Sequence, residues 1–147
     1  MTLYLVDKSA WAWRQQDPVA RADFDGILTE HSVATCHVTM LEMLYSARNP
    51  AEYEKLRFRL LGMKQLPDRK DPSYGEALAQ VMDRAMDVQR LLMEKGQQRR
   101  PVQDLIIAAC AEQAGATVLH VDKDYPIIAA VTGQAERRLA TTPGTAG

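Results

Sequence analysis

Twice in this 147-residue chain an apolar, strand-like run ends directly on a carboxylate. Leu3-Tyr4-Leu5-Val6 runs into Asp7, and Thr117-Val118-Leu119-His120-Val121 runs into Asp122. Short apolar runs bounded by a turn signal suit strands buried on both faces of a parallel sheet. A parallel sheet needs helical crossovers, and it brings the residue after each strand to one edge, where open α/β folds bind ligands. The two runs therefore narrow the chain to an α/β domain with acid at its carboxyl edge.

The intervening sequence alternates helix and strand signals in keeping with that frame. Residues 9 to about 15 read as a short helix capped by Ser9. Asp17-Pro18 opens a second, with Ala20, Phe24, Ile27 and Leu28 inward. A strand over 32–36 leads to a helix from Thr39 to about 47, whose Leu41, Leu44 and Tyr45 have core-facing spacing. Asn49-Pro50 starts a helix that buries Tyr53, Leu56, Leu60 and Leu61 and turns Lys55, Arg57 and Arg59 outward as a cationic stripe. A short strand is expected over 63–66. Asp71-Pro72 opens the longest helix, to about 95, where Tyr74, Leu78, Val81, Met82, Ala85, Val88 and Leu92 keep a 3.6-residue period up to Gly96. A helix over 102–114 stops at Gly115, another spans about 125–131, and a last strand is expected over 135–141. The predicted architecture is one α/β domain over residues 1–142, a central, mostly parallel sheet of about four to five short strands flanked by helices. Residues 143–147 are expected to be a flexible tail.

Composition enters chiefly as a constraint on partners. The net charge is −1, so no whole-molecule basic field exists, and a nucleic-acid partner would have to meet local cations. No apolar run approaches the ~20 residues of a membrane span, and no basic-then-apolar leader is visible, so a cytoplasmic protein is expected. Cys36 and Cys110 lack metal-type spacing and read as reduced core residues. His31, His37 and His120 also lack that spacing and are expected to be structural. Trp11 and Trp13 suit helix packing or an interface, with stacking on RNA bases as the alternative.

Taken singly, each notable acid has an ordinary role. Asp7 could satisfy the backbone of the following turn. Thr39-x-x-Glu42 matches a capping box, and Asp104 suits the first turn of its helix. Asp122 precedes a turn, and Asp124 could cap the helix beyond it. Taken together, a parallel sheet would point all of them into one crevice, where like charges repel unless a cation intervenes. Mg²⁺ binds through carboxylates and waters, and the chemistry such a site serves is attack of water on a phosphodiester.

Four phrases carry a resemblance: Leu5-Val6-Asp7-Lys8-Ser9-Ala10, Thr39-Met40-Leu41-Glu42-Met43-Leu44, Asp104-Leu105-Ile106-Ile107-Ala108-Ala109 and His120-Val121-Asp122-Lys123-Asp124-Tyr125. In that order they resemble the acidic motifs of PIN-domain ribonucleases, and the chain length is similar to that of the VapC toxins of bacterial toxin–antitoxin pairs. The resemblance implies an endoribonuclease using Mg²⁺ or Mn²⁺ and cleaving tRNA or ribosomal RNA. It implies Asp7, Glu42, Asp104 and Asp122 as catalytic metal-site acids, Asp124 as a further metal-site acid, and Ser9 in support. It also implies a small antitoxin that lays its C-terminal segment across the acids, with homodimers or larger toxin–antitoxin assemblies. Many members carry Thr where this chain has Lys8, and Lys8 is expected to bind substrate phosphate together with Ser9, Arg99 and Arg100. Competing expectations are a metal-dependent nuclease of broader specificity and a non-catalytic RNA-binding module.

Overall fold

β1 (Leu3–Val6) can be a strand with no polar face because both of its sides are covered. In the computed structural model, which describes residues 1–144, Leu5 enters one core and Tyr4 and Val6 another. The chain continues through α1 (Lys8–Gln16) and α2 (Pro18–Glu30) to β2 (Ser32–Thr35), then through α3 (His37–Tyr45) and α4 (Pro50–Leu61) to β3 (Lys64–Gln65). Next come α5 (Tyr74–Glu94), α6 (Val102–Ala114), β4 (Thr117–His120), α7 (Asp124–Thr132) and β5 (Glu136–Arg138). The sheet order is β3-β2-β1-β4-β5, and every neighbouring pair is parallel. The expected parallel α/β sheet is thus present, with five strands among the described residues.

The order places the site. β1 pairs with β2 on one side and β4 on the other, so the winding reverses beside β1, and a crevice opens at the carboxyl ends there. Leu5 stands opposite Ala34 and Val6 opposite Leu119. The Asp7 N–H donates to Leu119 O at 2.9 Å, carrying the ladder up to the acid itself.

One core joins Tyr4, Val6 and Leu119 to Phe24 and Ile27 of α2 and Ala10 of α1. The other joins Leu5 and Val118 to Val81, Val88 and Leu92 of α5, to α6, and to Tyr125 and Ile128 of α7. Within α6, Leu105, Ile107, Ala108, Ala109, Cys110 and Ala111 are all buried, so this helix is enclosed on nearly every side. The run of alanines lets it approach its neighbours closely. Gly115 ends it in the left-handed conformation (φ 66°), as a C-terminal glycine does. Both cysteines are free and lie in this core. No helix among the described residues is long and apolar enough to cross a membrane.

Several local expectations need correction. Asp7, not Ser9, caps α1: its side chain accepts from Ser9 N–H. α3 starts two residues early, at His37 after Cys36, so Glu42 sits past the first turn and the capping box does not form. That changed phase buries Met40 and Leu44 and leaves Leu41 (64%) and Tyr45 (89%) exposed. Leu28, Tyr53, Leu61 and Met82 are likewise about two-fifths exposed rather than core. α5 starts at Tyr74, because Asp71 instead closes a turn onto Ser73 N–H. β3 and β5 are shorter than expected, and α7 begins at Asp124. Of the tail expected over 143–147, residues 145–147 lie outside the described residues.

These burial assignments predict a contrast. Leu92→Ala, at a fully buried position, should lose about 2–5 kcal/mol of unfolding free energy in urea titrations. Leu41→Ala should stay within about 0.5 kcal/mol. Equal losses would mean that the phase of α3 is misassigned.

Candidate active site

The end of β1 passes straight into α1, so Asp7 serves as the helix cap while its carboxylate lies at the sheet edge. Asp7 is buried and fully engaged: Oδ2 accepts from Ser9 N–H at 3.0 Å and from Ser9 Oγ–H, and Oδ1 accepts from Tyr125 O–H at 2.7 Å. Ser9 Oγ in turn accepts from Val121 N–H at 2.9 Å, tying the start of α1 to the end of β4. Ser9 therefore acts on Asp7 and on the β4 turn.

Asp104 enters from the first turn of α6, and Asp122 and Asp124 from the turn between β4 and α7. One carboxylate oxygen from each of these three lies within 4.8 Å of the others. Asp104 and Asp124 are buried and Asp122 half-buried. The Tyr125 hydroxyl stands 3.4 Å from Asp104 Oδ1 and so links Asp7 to this group. Asp104 Oδ2 is buried without a hydrogen-bond donor. Asp122 Oδ1 accepts from Asp124 N–H at 2.9 Å, and Asp124 Oδ1 accepts from Arg100 at 2.8 Å.

Glu42 stands on α3, half-buried, close enough for Asp7 and Asp122 to act on it, with Oε1 buried and unpartnered. Burial, then the charge of Asp7, raises its pKa, and Lys8 opposes the rise. The structure thus brings Asp7, Asp104, Asp122 and Asp124 together, with Glu42 at the margin. Lys8 borders the group, Arg99 is exposed, and Arg100 is occupied by Asp124 rather than open to a phosphate.

Two residues were missed as site components. Tyr125 is fully buried between two acids, and only its place three residues after Asp122 hinted at this. His120 is structural, as expected, but in a specific way. Its Nδ1 accepts from Asp122 N–H at 3.1 Å, so the hydrogen of the neutral ring is on Nε2, which donates to Glu136 at 2.7 Å. The buried imidazole thereby fixes the backbone that carries Asp122.

An all-oxygen set of hard donors, crowded and with a buried acceptor left unpaired, fits a divalent cation such as Mg²⁺ or Mn²⁺. Without one, burial and then the charges of Asp122 and Asp7 push Asp104 up to about 8. The crowded, buried carboxyl of Asp104 therefore favours its protonated form near neutrality. The fold favours the protonated form, so this contribution to stability is complete below about pH 4 and is lost as pH rises to about 8.

The metal-free protein should accordingly melt at lower temperature at about pH 8 than at about pH 5, and Asp104→Asn should flatten that fall. Mn²⁺ should restore the melting temperature of the wild type and release about one proton near neutrality, read by calorimetry in buffers of differing ionisation enthalpy. A wild type and an Asp104→Asn variant with the same pH profile would remove Asp104 from the site.

Comparison with known proteins bears on the fold and the family. The PIN domain family model matches residues 4–131. Ribonuclease VapC2 of Mycobacterium tuberculosis is 38% identical over 144 residues, covering 97% of this chain and 96% of its own. Ribonuclease VapC51 of the same organism is 37% identical over 131 residues, covering 89% and 88%. Among solved structures, VapBC2 from Rickettsia felis bound to a promoter DNA fragment superposes with a TM-score of 0.69 at 11% identity, covering 95% of this chain and 100% of that one. VapBC-5 from Mycobacterium tuberculosis gives 0.58 at 21% identity, covering 96% and 100%. At those identities the structures speak for the fold, while the family match and the near-full-length relatives speak for kinship: the chain belongs to the PIN-domain family.

Proposed function

We propose that this chain is the toxin of a toxin–antitoxin pair, a Mg²⁺- or Mn²⁺-dependent endoribonuclease that hydrolyses phosphodiester bonds in tRNA or ribosomal RNA. The observation that carries the proposal is the convergence of Asp104, Asp122 and Asp124 within 4.8 Å beside a fully hydrogen-bonded Asp7. The relatives' names, each a VapC ribonuclease, support the reaction class.

Asp7, Asp104 and Asp122 would hold the ion, with Asp124 and Glu42 completing its surroundings. Bound there, a divalent ion supplies a hydroxide-like water and steadies the charge on the leaving oxygen. The chain's own residues fix the geometry for this. Ser9 and Tyr125 hold both oxygens of Asp7, His120 and Glu136 set the Asp122 backbone, and Arg100 orients Asp124. Glu42 stands at the margin with Oε1 unpartnered, and burial followed by the charge of Asp7 favours its protonated form. Lys8 and Arg99 contact substrate phosphate, while Arg100 and Ser9 act through the acids. Close packing excludes water from the far side of Asp7 and Asp104, which strengthens every charge interaction there.

A partner is part of the proposal. Several solved neighbours are VapBC structures, and this chain shows Tyr45 and Phe58, both more than four-fifths exposed, on α3 and α4. An antitoxin helix would cover them, with an Arg or Lys of its C-terminal segment paired to the acids. A homodimer, or a larger assembly of toxin and antitoxin, is expected.

Asp7→Asn should lower Mg²⁺-dependent RNA cleavage at least about 100-fold while melting cooperatively. Glu42→Gln should also lose activity, with little change in stability, since no helix cap depends on it. Wild-type protein should cut RNA, spare DNA of the same sequence, and fall silent in EDTA. Cleavage by Asp7→Asn at the wild-type rate would end the assignment.

A further inference from the structure

Beside the acids, a groove of about 430 Å³ runs between α1 and α4, floored in part by Met43 of α3. Its size is in the range of small-molecule sites. Lys8 and Trp11 line it from α1, and Lys55, Leu56 and Arg59 from α4. Most arginines among the described residues outside this groove are committed: Arg14, Arg48, Arg57, Arg84, Arg90, Arg100 and Arg137 each pair with an acid. Among the described residues Lys8, Lys55 and Arg59 have no such pair, which they share with the other lysines and with Arg21, Arg69, Arg99 and Arg138. What sets the three apart is that they line one groove. Lys55 and Arg59 stand four apart, on one face of α4. The outward stripe of three cations is therefore divided, with Arg57 paired to Glu54 and the other two turned to the groove. The one acid of the lining, Glu52, is already bonded to Arg48 at 3.2 Å.

Trp11 adds a second signal. Its ring packs on Phe24 at 4.8 Å between centroids, yet its Nε1–H is buried with no acceptor. The indole as a whole is half-buried and forms part of the groove wall, a flat apolar surface on which a base can stack. Three uncommitted cations, a half-buried indole and apolar cover from Met43 and Leu56 together suit a polyanion with flat apolar groups. A single-stranded nucleic acid has that chemistry. A second cationic cleft, with Lys64, Arg69 and Lys70, lies at the β3 edge and also contains Asp68. Of the two, the α1–α4 groove is the one tied to the acids: Lys8 follows Asp7 and its charge acts on Glu42, and Met43, beside Glu42, also lines it.

We infer that the α1–α4 groove is the track for the RNA strand flanking the cleaved bond, with phosphates against Lys8, Lys55 and Arg59 and a base beside Trp11. This rests on the ribonuclease reading of the acid site. Binding in the groove raises the local concentration of substrate without changing the chemistry at the acids, so it governs KM rather than kcat.

The test is fluorescence anisotropy of a labelled single-stranded oligoribonucleotide in EDTA, over a range of salt, beside a cleavage assay with Mg²⁺. Lys55→Ala combined with Arg59→Ala should weaken binding about tenfold and flatten the log–log salt slope by about 1.4, two contacts at ~0.7 each. In the cleavage assay KM should rise with kcat unchanged. Trp11→Phe, which keeps the packing on Phe24, should weaken binding without altering the slope. Lys64→Ala with Lys70→Ala is the comparison, and should change neither. An unchanged slope in the α4 double variant, or an equal loss in the comparison, overturns the inference. So does loss of a co-expressed antitoxin with RNA binding intact, which would make the groove a protein site. If the wild type binds RNA through the groove but cuts none, the track stands and the ribonuclease reading falls. If it cuts while the slope is indifferent to Lys55 and Arg59, the reverse holds.

Discussion

Four carboxylates drawn to one end of a buried parallel sheet repel one another, and much of the surrounding hydrogen bonding restrains them. Asp7 alone accepts three hydrogen bonds from side chain and backbone. Ser9 bonds both the first acid and the strand that delivers the third. The charge of Arg100 offsets that of Asp124. What is left over falls on Asp104, which keeps its proton far above the usual aspartate range and one oxygen without a donor. The acids are held close enough to share a cation and too close to be stable as free anions.

That arrangement has to be supported by the rest of the fold. Sites of this kind lower stability locally, and the surrounding structure offsets the loss. Here the support comes from both faces of β1 and β4. Phe24, Ile27 and Leu139 are buried on one side, and Val81, Leu92 and Ile128 on the other. A sheet covered on one face alone would leave one flank of the acid edge open to water, where the electrostatic contrast on which the site depends would be screened.

The parallel sheet was legible because β1 and β4 are apolar on both faces, and only burial on both faces explains such runs. The acids were legible for the same reason, since each follows a strand or opens a helix at the same edge. Helix phase was less so. His37 and Val38 carry no start signal, whereas Thr39 with Glu42 imitates one, and the false cap shifted the inward face from Met40 to Leu41. Arg100 looked like a phosphate contact by its nearness to Asp104 in sequence. Its actual partner, Asp124, is 24 residues away and is set by the turn after β4. Tyr125 was out of reach for a related reason. A tyrosine on an apolar helix face reads as core, and nothing local says that its hydroxyl meets an acid 118 residues earlier.

α6 carries Asp104 at one end and is enclosed along the rest by small side chains at Ala108, Ala109, Cys110 and Ala111. Such a helix has no free direction in which to yield. A methyl group added at any of those positions would displace the whole rod, since overpacked interiors shift backbone rather than compress. Asp104 would travel with it, and misplacement of a reacting group by about 1 Å can cost about 100-fold in rate. The constraint on side-chain size thus reaches well away from the acids. The alanines, which carry no charge and no polar side-chain atom, set the position of the most crowded carboxylate by leaving room for nothing else.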